Sequence, residues 1–114
     1  MVTLYGIRNC DTVRKARRWL DEHRIEYRYH DLRSDGLTPA LLDDWIRELG
    51  WENLLNRRGT TWRQLPETQR SHLDAATAKA IMLQHPAIIK RPIIDLGAVR
   101  SLGFSRGQFA ALFS

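Results

Sequence analysis

The sequence predicts an α/β fold with a mixed sheet. Three observations point there: a β-α-β opening, an all-helical middle, and a β-β-α close. The 114 residues suit one domain with a core of its own. Composition is 43% hydrophobic and 27% charged, which excludes a disordered chain.

Val2–Ile7 is short and β-rich, and reads as a buried strand. A helix is expected from Thr12 to Arg24, with Val13, Ala16, Trp19, Leu20 and His23 on one side and Arg14, Lys15, Arg17 and Arg18 on the other. Asp11 or Thr12 is its expected cap. Ile25–Leu32 alternates as a second strand. One helix between two strands predicts a right-handed crossover and parallel pairing. Thr38-Pro39 opens the next helix, with Thr38 as cap and Pro39 in the first turn. Leu41, Leu42, Trp45, Ile46 and Leu49 form its apolar stripe, Asp43 and Asp44 its solvated side, and Gly50 its end. Trp51–Leu55 is a short helical piece, Asn56–Thr61 a polar loop, and Pro66–Arg70 one more helical turn. Asp74 caps a helix that runs to Gln84 and stops before His85-Pro86. Ile93–Leu96 and Val99–Phe104 form a hairpin about Gly97. Ser105 with Gln108 has the spacing of a capping box, and Phe109, Leu112 and Phe113 line a terminal helix.

Charge and cysteine count limit the chemistry. Eighteen basic residues against thirteen acidic give a net charge of +5. This suits a solvated basic surface or an anionic partner. No dense Lys/Arg run marks a nucleic-acid surface. The single cysteine rules out an internal disulfide, a CxxC pair and a cysteine zinc site. His23, His30, His72 and His85 have no ligand spacing, so no metal is expected. No signal pattern precedes the first strand and no apolar run has the length of a membrane span, so a reducing cytoplasmic setting is expected.

Cys10 is the first candidate for chemistry. A lone cysteine is commonly a small buried hydrophobe. This one lies between a strand and a helix start, where free N–H groups and the positive dipole end stabilise a thiolate, the nucleophilic form. Arg8, Arg14 and Lys15 add positive potential, and Asp11 opposes them. Arg57 and Arg58 lie in the polar loop and suit a carboxylate or oxyanion fork, or simply a solvated connector. Trp62 stands beside them. Pro92 after Arg91 marks an edge or bend. A cis bond there would bring Lys90 and Arg91 toward the cysteine turn.

YGIRNCDTVRKARRWL resembles the reactive-cysteine segment of the arsenate reductase (ArsC) / Spx family. LLNRRGTTWRQL and HPAIIKRPIIDLGAVRSLGF resemble its middle and Arg-Pro segments. With NCDT, NRRGTTWR and IKRP together, the chain is most similar to the YffB subgroup. The resemblance implies a thioredoxin-like (glutaredoxin-like) mixed four-stranded sheet with flanking helices, its core at about residues 1–33 and 86–114 and a helical insertion at about 37–85. It implies a cis Pro92 and a reactive Cys10. It also implies a glutathione-dependent thiol/disulfide reductase with no bound cofactor: glutathione is the cosubstrate and an oxidised thiol or disulfide the substrate, with glutaredoxin a further candidate partner. Asn9, Asp11, Thr12, Arg57, Arg58, Lys90, Arg91 and Pro92 are the expected substrate- or glutathione-binding residues. One of three arginines that hold the oxyanion in true arsenate reductases matches Arg91. Asn56 and, approximately, Gly103 stand at the other two positions, with Arg57, Arg58 and Arg100 nearby. Val13 replaces the second cysteine of Spx-type regulators. Arsenate reduction and Spx-like binding of RNA polymerase are the alternative readings.

Overall fold

The computed structural model describes all 114 residues. The chain divides into two compact units, Met1–Asp31 with Arg91–Ser114, and Leu32–Lys90.

The first unit holds the sheet. Strand β1 (Val2–Gly6), helix α1 (Asp11–Glu22) and strand β2 (Tyr27–Asp31) form the opening β-α-β. Strands β3 (Ile93–Asp95) and β4 (Arg100–Leu102) and helix α7 (Arg106–Leu112) form the close. The strand order is β2-β1-β3-β4, with β1 and β2 parallel and the other pairs antiparallel. This is the thioredoxin-like mixed sheet that the resemblance implied. Leu4 and Ile94 are cross-strand partners, so both side chains stand on one face. They join Val13, Ala16, Trp19 and Leu20 of α1 and Phe109 of α7 in one core cluster. The Phe109 ring packs edge-on against Trp19 at 5.5 Å and against Phe104 at 4.6 Å, a favoured geometry for aromatic quadrupoles.

Helix α1 stops earlier than its apolar pattern suggested. Arg24 takes φ 56°, and the Ile25 N–H donates to the Leu20 carbonyl at 3.0 Å. This 6→1 closure turns the chain out of the helix and delays β2 to Tyr27. At the hairpin, Gly97 takes φ 93° and the Leu96 N–H donates to the Val99 carbonyl. The capping box expected at α7 is half formed. Ser105 Oγ accepts from the Gln108 N–H at 3.1 Å, but the Gln108 side chain donates to Ser101 Oγ at 2.6 Å and to the Leu102 carbonyl at 2.9 Å. Its amide ties α7 to β4 instead of to its own cap.

The second unit is helical. Helices α2 (Pro39–Leu49), α3 (Trp51–Leu54), α4 (Thr60–Gln64), α5 (Glu67–Ser71) and α6 (Ala75–Gln84) precede a 3-10 turn over Pro86–Ile88. Leu42, Trp45, Leu54, Ala78, Ile81, Met82 and Ile88 are buried in it. Thr38 caps α2 as expected. Asp43 and Asp44 are engaged rather than merely solvated: Asp43 pairs with Lys79 of α6 at 2.8 Å, and Asp44 with Arg47. Thr60, expected in a loop, opens α4. The Arg63 N–H reaches the Gly59 carbonyl, and the Arg63 guanidinium donates to the Arg58 carbonyl at 2.9 Å.

Candidate functional site

The cysteine turn begins where β1 ends. Gly6 closes the strand, and a Cβ there would stand 2.8 Å from a methyl of Val13. Glycine therefore lets the first turn of α1 approach the strand end. Arg8 N–H then donates to Asp31 Oδ2 at 2.9 Å. Asn9 takes the left-handed φ of 69°, which asparagine tolerates better than most residues. Cys10 follows in extended geometry, φ −104° and ψ 122°, and is itself the N-cap of α1. The expected caps, Asp11 and Thr12, are instead the first helical residues, because the Cys10 carbonyl already accepts the Arg14 N–H at 3.0 Å.

The Cys10 side chain makes no cap hydrogen bond. The other longer helices do have side-chain caps: Thr38 on α2, Asp74 on α6 and Ser105 on α7. At α1 the first-turn N–H groups receive no such side-chain cap. Cys10 is half-buried, with one side against the core cluster.

Asp31 is a buried carboxylate, 6% exposed, which the sequence pattern marks only as one residue of the Ile25–Leu32 strand. It accepts from Arg8 and from the Tyr29 hydroxyl at 3.3 Å. Burial and then the Asp31 charge push the Tyr29 hydroxyl above its ordinary pKa. The available signal was position, since the carboxyl end of a parallel strand is where α/β sheets present functional groups.

The remaining predicted residues of this unit fall into two sets. Asn9 and Asp11 both engage Arg14: Asp11 forms an ion pair with it, and Asn9 Oδ1 accepts from it at 3.4 Å. Thr12 is exposed in the first turn. Arg91–Pro92 is a cis peptide. Because Tyr5 pairs with Ile93 in antiparallel register, Pro92 lies at the sheet end where β1 leaves toward Cys10. Pro92 is buried, and its carbonyl accepts the Gly103 N–H at 2.8 Å.

The other predicted residues, Arg57, Arg58 and Lys90, meet at one cleft of the Leu32–Lys90 unit. The cleft has a volume of about 560 Å³ and is lined by Glu52, Leu55, Asn56, Arg57, Arg58 and Lys90. A bridge between Leu55 and Ile89 frames it. Asn56 N–H donates to the Ile88 carbonyl at 2.8 Å and Lys90 N–H to the Leu54 carbonyl at 2.7 Å. Asn56 Oδ1 accepts the Arg58 N–H at 3.0 Å, and the Arg57 guanidinium lies 5.6 Å from the centre of the Trp62 ring. Glu52 was not among the predicted residues. No linear pattern singles it out, because the cleft forms only when the short helix α3 and the chain before Lys90 come together.

Comparison with known proteins places this geometry. The family model described as "ArsC family" matches residues 5–112. This chain belongs to the ArsC family. The solved structure of the YffB protein superposes with a TM-score of 0.96 at 45% identity over the full length of both chains. That of an arsenate reductase (ArsC)-related protein from Brucella melitensis gives 0.80 at 47% identity, over 99% of this chain and 94% of the other. The global transcriptional regulator Spx of Listeria innocua is 31% identical over 96 residues, 82% of this chain and 72% of Spx.

Gly103 and Asn56, which stand about where the resemblance implied arginines, each have a defined local conformation or contact. Gly103 takes φ 86°, a conformation that strains any L side chain, so an arginine would fit poorly there. Neighbouring Arg100 is held by Asp95 at 3.1 Å, with both side chains largely buried. Asn56 shapes the loop by accepting from Arg58. No helix is long and apolar enough to cross a membrane.

Proposed function

We propose that this ArsC-family chain is a glutathione-dependent thiol/disulfide reductase with Cys10 as its only nucleophile. The observation that carries the reading is Cys10 at the one longer helix start lacking a side-chain cap, on the sheet end shared with Arg91–Pro92. The Cys10 thiolate attacks one sulfur of a mixed disulfide between a substrate thiol and glutathione. The S–S bond breaks, the substrate leaves as thiolate and takes a proton from water, and Cys10 becomes joined to glutathione. A second glutathione, as thiolate, attacks that disulfide, releasing glutathione disulfide and regenerating Cys10. The net change is thiol–disulfide exchange: the mixed disulfide and one glutathione thiol become the substrate thiol and glutathione disulfide. No second cysteine in the chain competes for the intermediate.

Cys10 attacks from the start of α1, whose first-turn N–H groups carry no side-chain cap. Arg91 adds charge for the peptide's carboxylates, and the Pro92 turn adds backbone. Asn9, Asp11 and Thr12 shape the turn. Arg57, Arg58 and Lys90 contribute a carboxylate-binding cleft. The setting this chemistry requires is the reducing cytoplasm, with glutaredoxin a second route of reduction. The test is intact-mass analysis after exposure to glutathione disulfide, with turnover of a glutathionylated thiol measured in parallel. One glutathione on Cys10, and turnover abolished in Cys10→Ser, are expected. Undiminished turnover in Cys10→Ser overturns the reading.

The similarity to Spx favours a second reading, a regulator that binds RNA polymerase. Polymerase retained equally by the native chain and Cys10→Ser, without reductase turnover, is its expected signature. Arsenate reduction is the weaker alternative on account of Asn56 and Gly103. Saturable arsenate turnover would restore it.

A further inference from the structure

The cleft of the Leu32–Lys90 unit carries charges of both signs. Arg57, Arg58 and Lys90 supply three cations and Glu52 one anion. Opposite charges around one cleft ordinarily pair, as Asp43 does with Lys79 and Asp95 with Arg100. Here none does: neither Glu52 nor any of the three cations has a side-chain ion-pair partner. What contacts they have serve other ends. Arg57 lies by the Trp62 ring, Arg58 is bonded through its backbone N–H and carbonyl, and Lys90 through its backbone N–H. Backbone bonds between Leu54–Asn56 and Ile88–Lys90 fix the two segments that carry these side chains.

A site for a simple anion such as phosphate would be weakened by an acid in its wall, because like charge opposes binding. A ligand with an ammonium beside its carboxylate turns the same acid into a partner. We infer that this cleft is an α-amino-acid head-group site, in which Glu52 takes the ammonium and Arg57, Arg58 and Lys90 take the carboxylate of a γ-glutamyl group. The inference rests on the reductase reading only in naming glutathione as the source of that group. Glu52 becomes the residue that separates glutathione from other anionic thiols.

The test uses S-methylglutathione, which cannot form a disulfide, and its analogue lacking the α-amino group. Their dissociation constants are measured by calorimetry on the native chain and on Glu52→Gln, with inorganic phosphate as a third ligand. Glu52 is exposed, so the variant should keep its fold, which far-UV circular dichroism checks. The native chain should prefer S-methylglutathione over the analogue by roughly tenfold, the scale of one charge-assisted hydrogen bond. Glu52→Gln should bring that ratio close to one and should bind phosphate more tightly than the native chain does. An unchanged ratio in Glu52→Gln, phosphate binding as tight as S-methylglutathione in the native chain, or no binding of S-methylglutathione each overturns the inference. Amino-group selectivity without a Cys10 adduct would sink the reductase reading alone. A Cys10 adduct without selectivity would sink this one alone.

Discussion

Helices α1 and α6 start in opposite ways. At α6, Asp74 accepts the Thr77 N–H at 2.8 Å, and Thr77 Oγ1 accepts the Asp74 N–H at 2.8 Å. The end is closed, and the bonds that the Asp74 carboxylate accepts from the Thr77 N–H and then the Thr77 hydroxyl hold it below its ordinary pKa. At α1 the cap position is Cys10, which makes no such bond. The geometry of that turn is held from elsewhere, by Asp31 under the Arg8 N–H, by the left-handed Asn9 and by Gly6 against Val13. One helix start uses its N–H groups for stability. The other has no side-chain cap, and its turn is fixed by contacts made outside the helix end.

Several substitutions test that contrast. Replacing Cys10 by Ser should have the largest effect, reducing turnover of a glutathionylated thiol to the rate of free glutathione alone. Next is Gly6→Ala, which drives a Cβ into Val13. It should cost about 1–3 kcal/mol, the usual range for overpacking, measured by urea denaturation, and should slow alkylation of Cys10 as the turn shifts. Asp31→Ala leaves the Arg8 N–H without its acceptor and should cost about 1–3 kcal/mol. Slower Cys10 alkylation in a still-folded variant would separate positioning of the turn from general stability. A smaller effect compares two substitutions at one site. Cys10→Ser should be more stable than Cys10→Ala by about 1 kcal/mol, because the hydroxyl supplies the missing cap. Equal stability would mean that the α1 N–H groups are already satisfied.

The smallest effect concerns pH at α6. A carboxyl held below its unfolded value stabilises the fold above that unfolded value, and this contribution is lost as pH falls through the lowered folded value. The melting temperature of the native chain should therefore exceed that of Asp74→Asn near neutrality, and the gap should close in strong acid. A gap independent of pH would assign the cap to geometry alone.

Signals confined to a few consecutive residues were legible in the sequence. Thr38-Pro39, Asp74 and Ser105 marked three helix starts, and Gly97 a hairpin. The β-α-β order implied the parallel pair found between β1 and β2. Contacts between distant segments were not legible. Gln108 has capping-box spacing, yet its side chain bonds Ser101 and Leu102 of β4. Asp43 reads as a surface acid, yet it meets Lys79 on another helix.

The candidate site divides along the same line. By itself the sequence determined that Cys10 is the only thiol, that it stands between a strand and a helix, and that Arg8, Arg14 and Lys15 lie close to it in the chain, because residue type and local spacing carry those facts. Only the tertiary structure decided that Cys10 is its own uncapped N-cap, that Asp31 lies under its turn, and that Glu52 faces the same cleft as Arg57, Arg58 and Lys90. Each of those contacts joins residues that the chain brings together only by packing its strands and helices, and local propensity carries no record of which distant partner a hydrogen bond or a charge will meet.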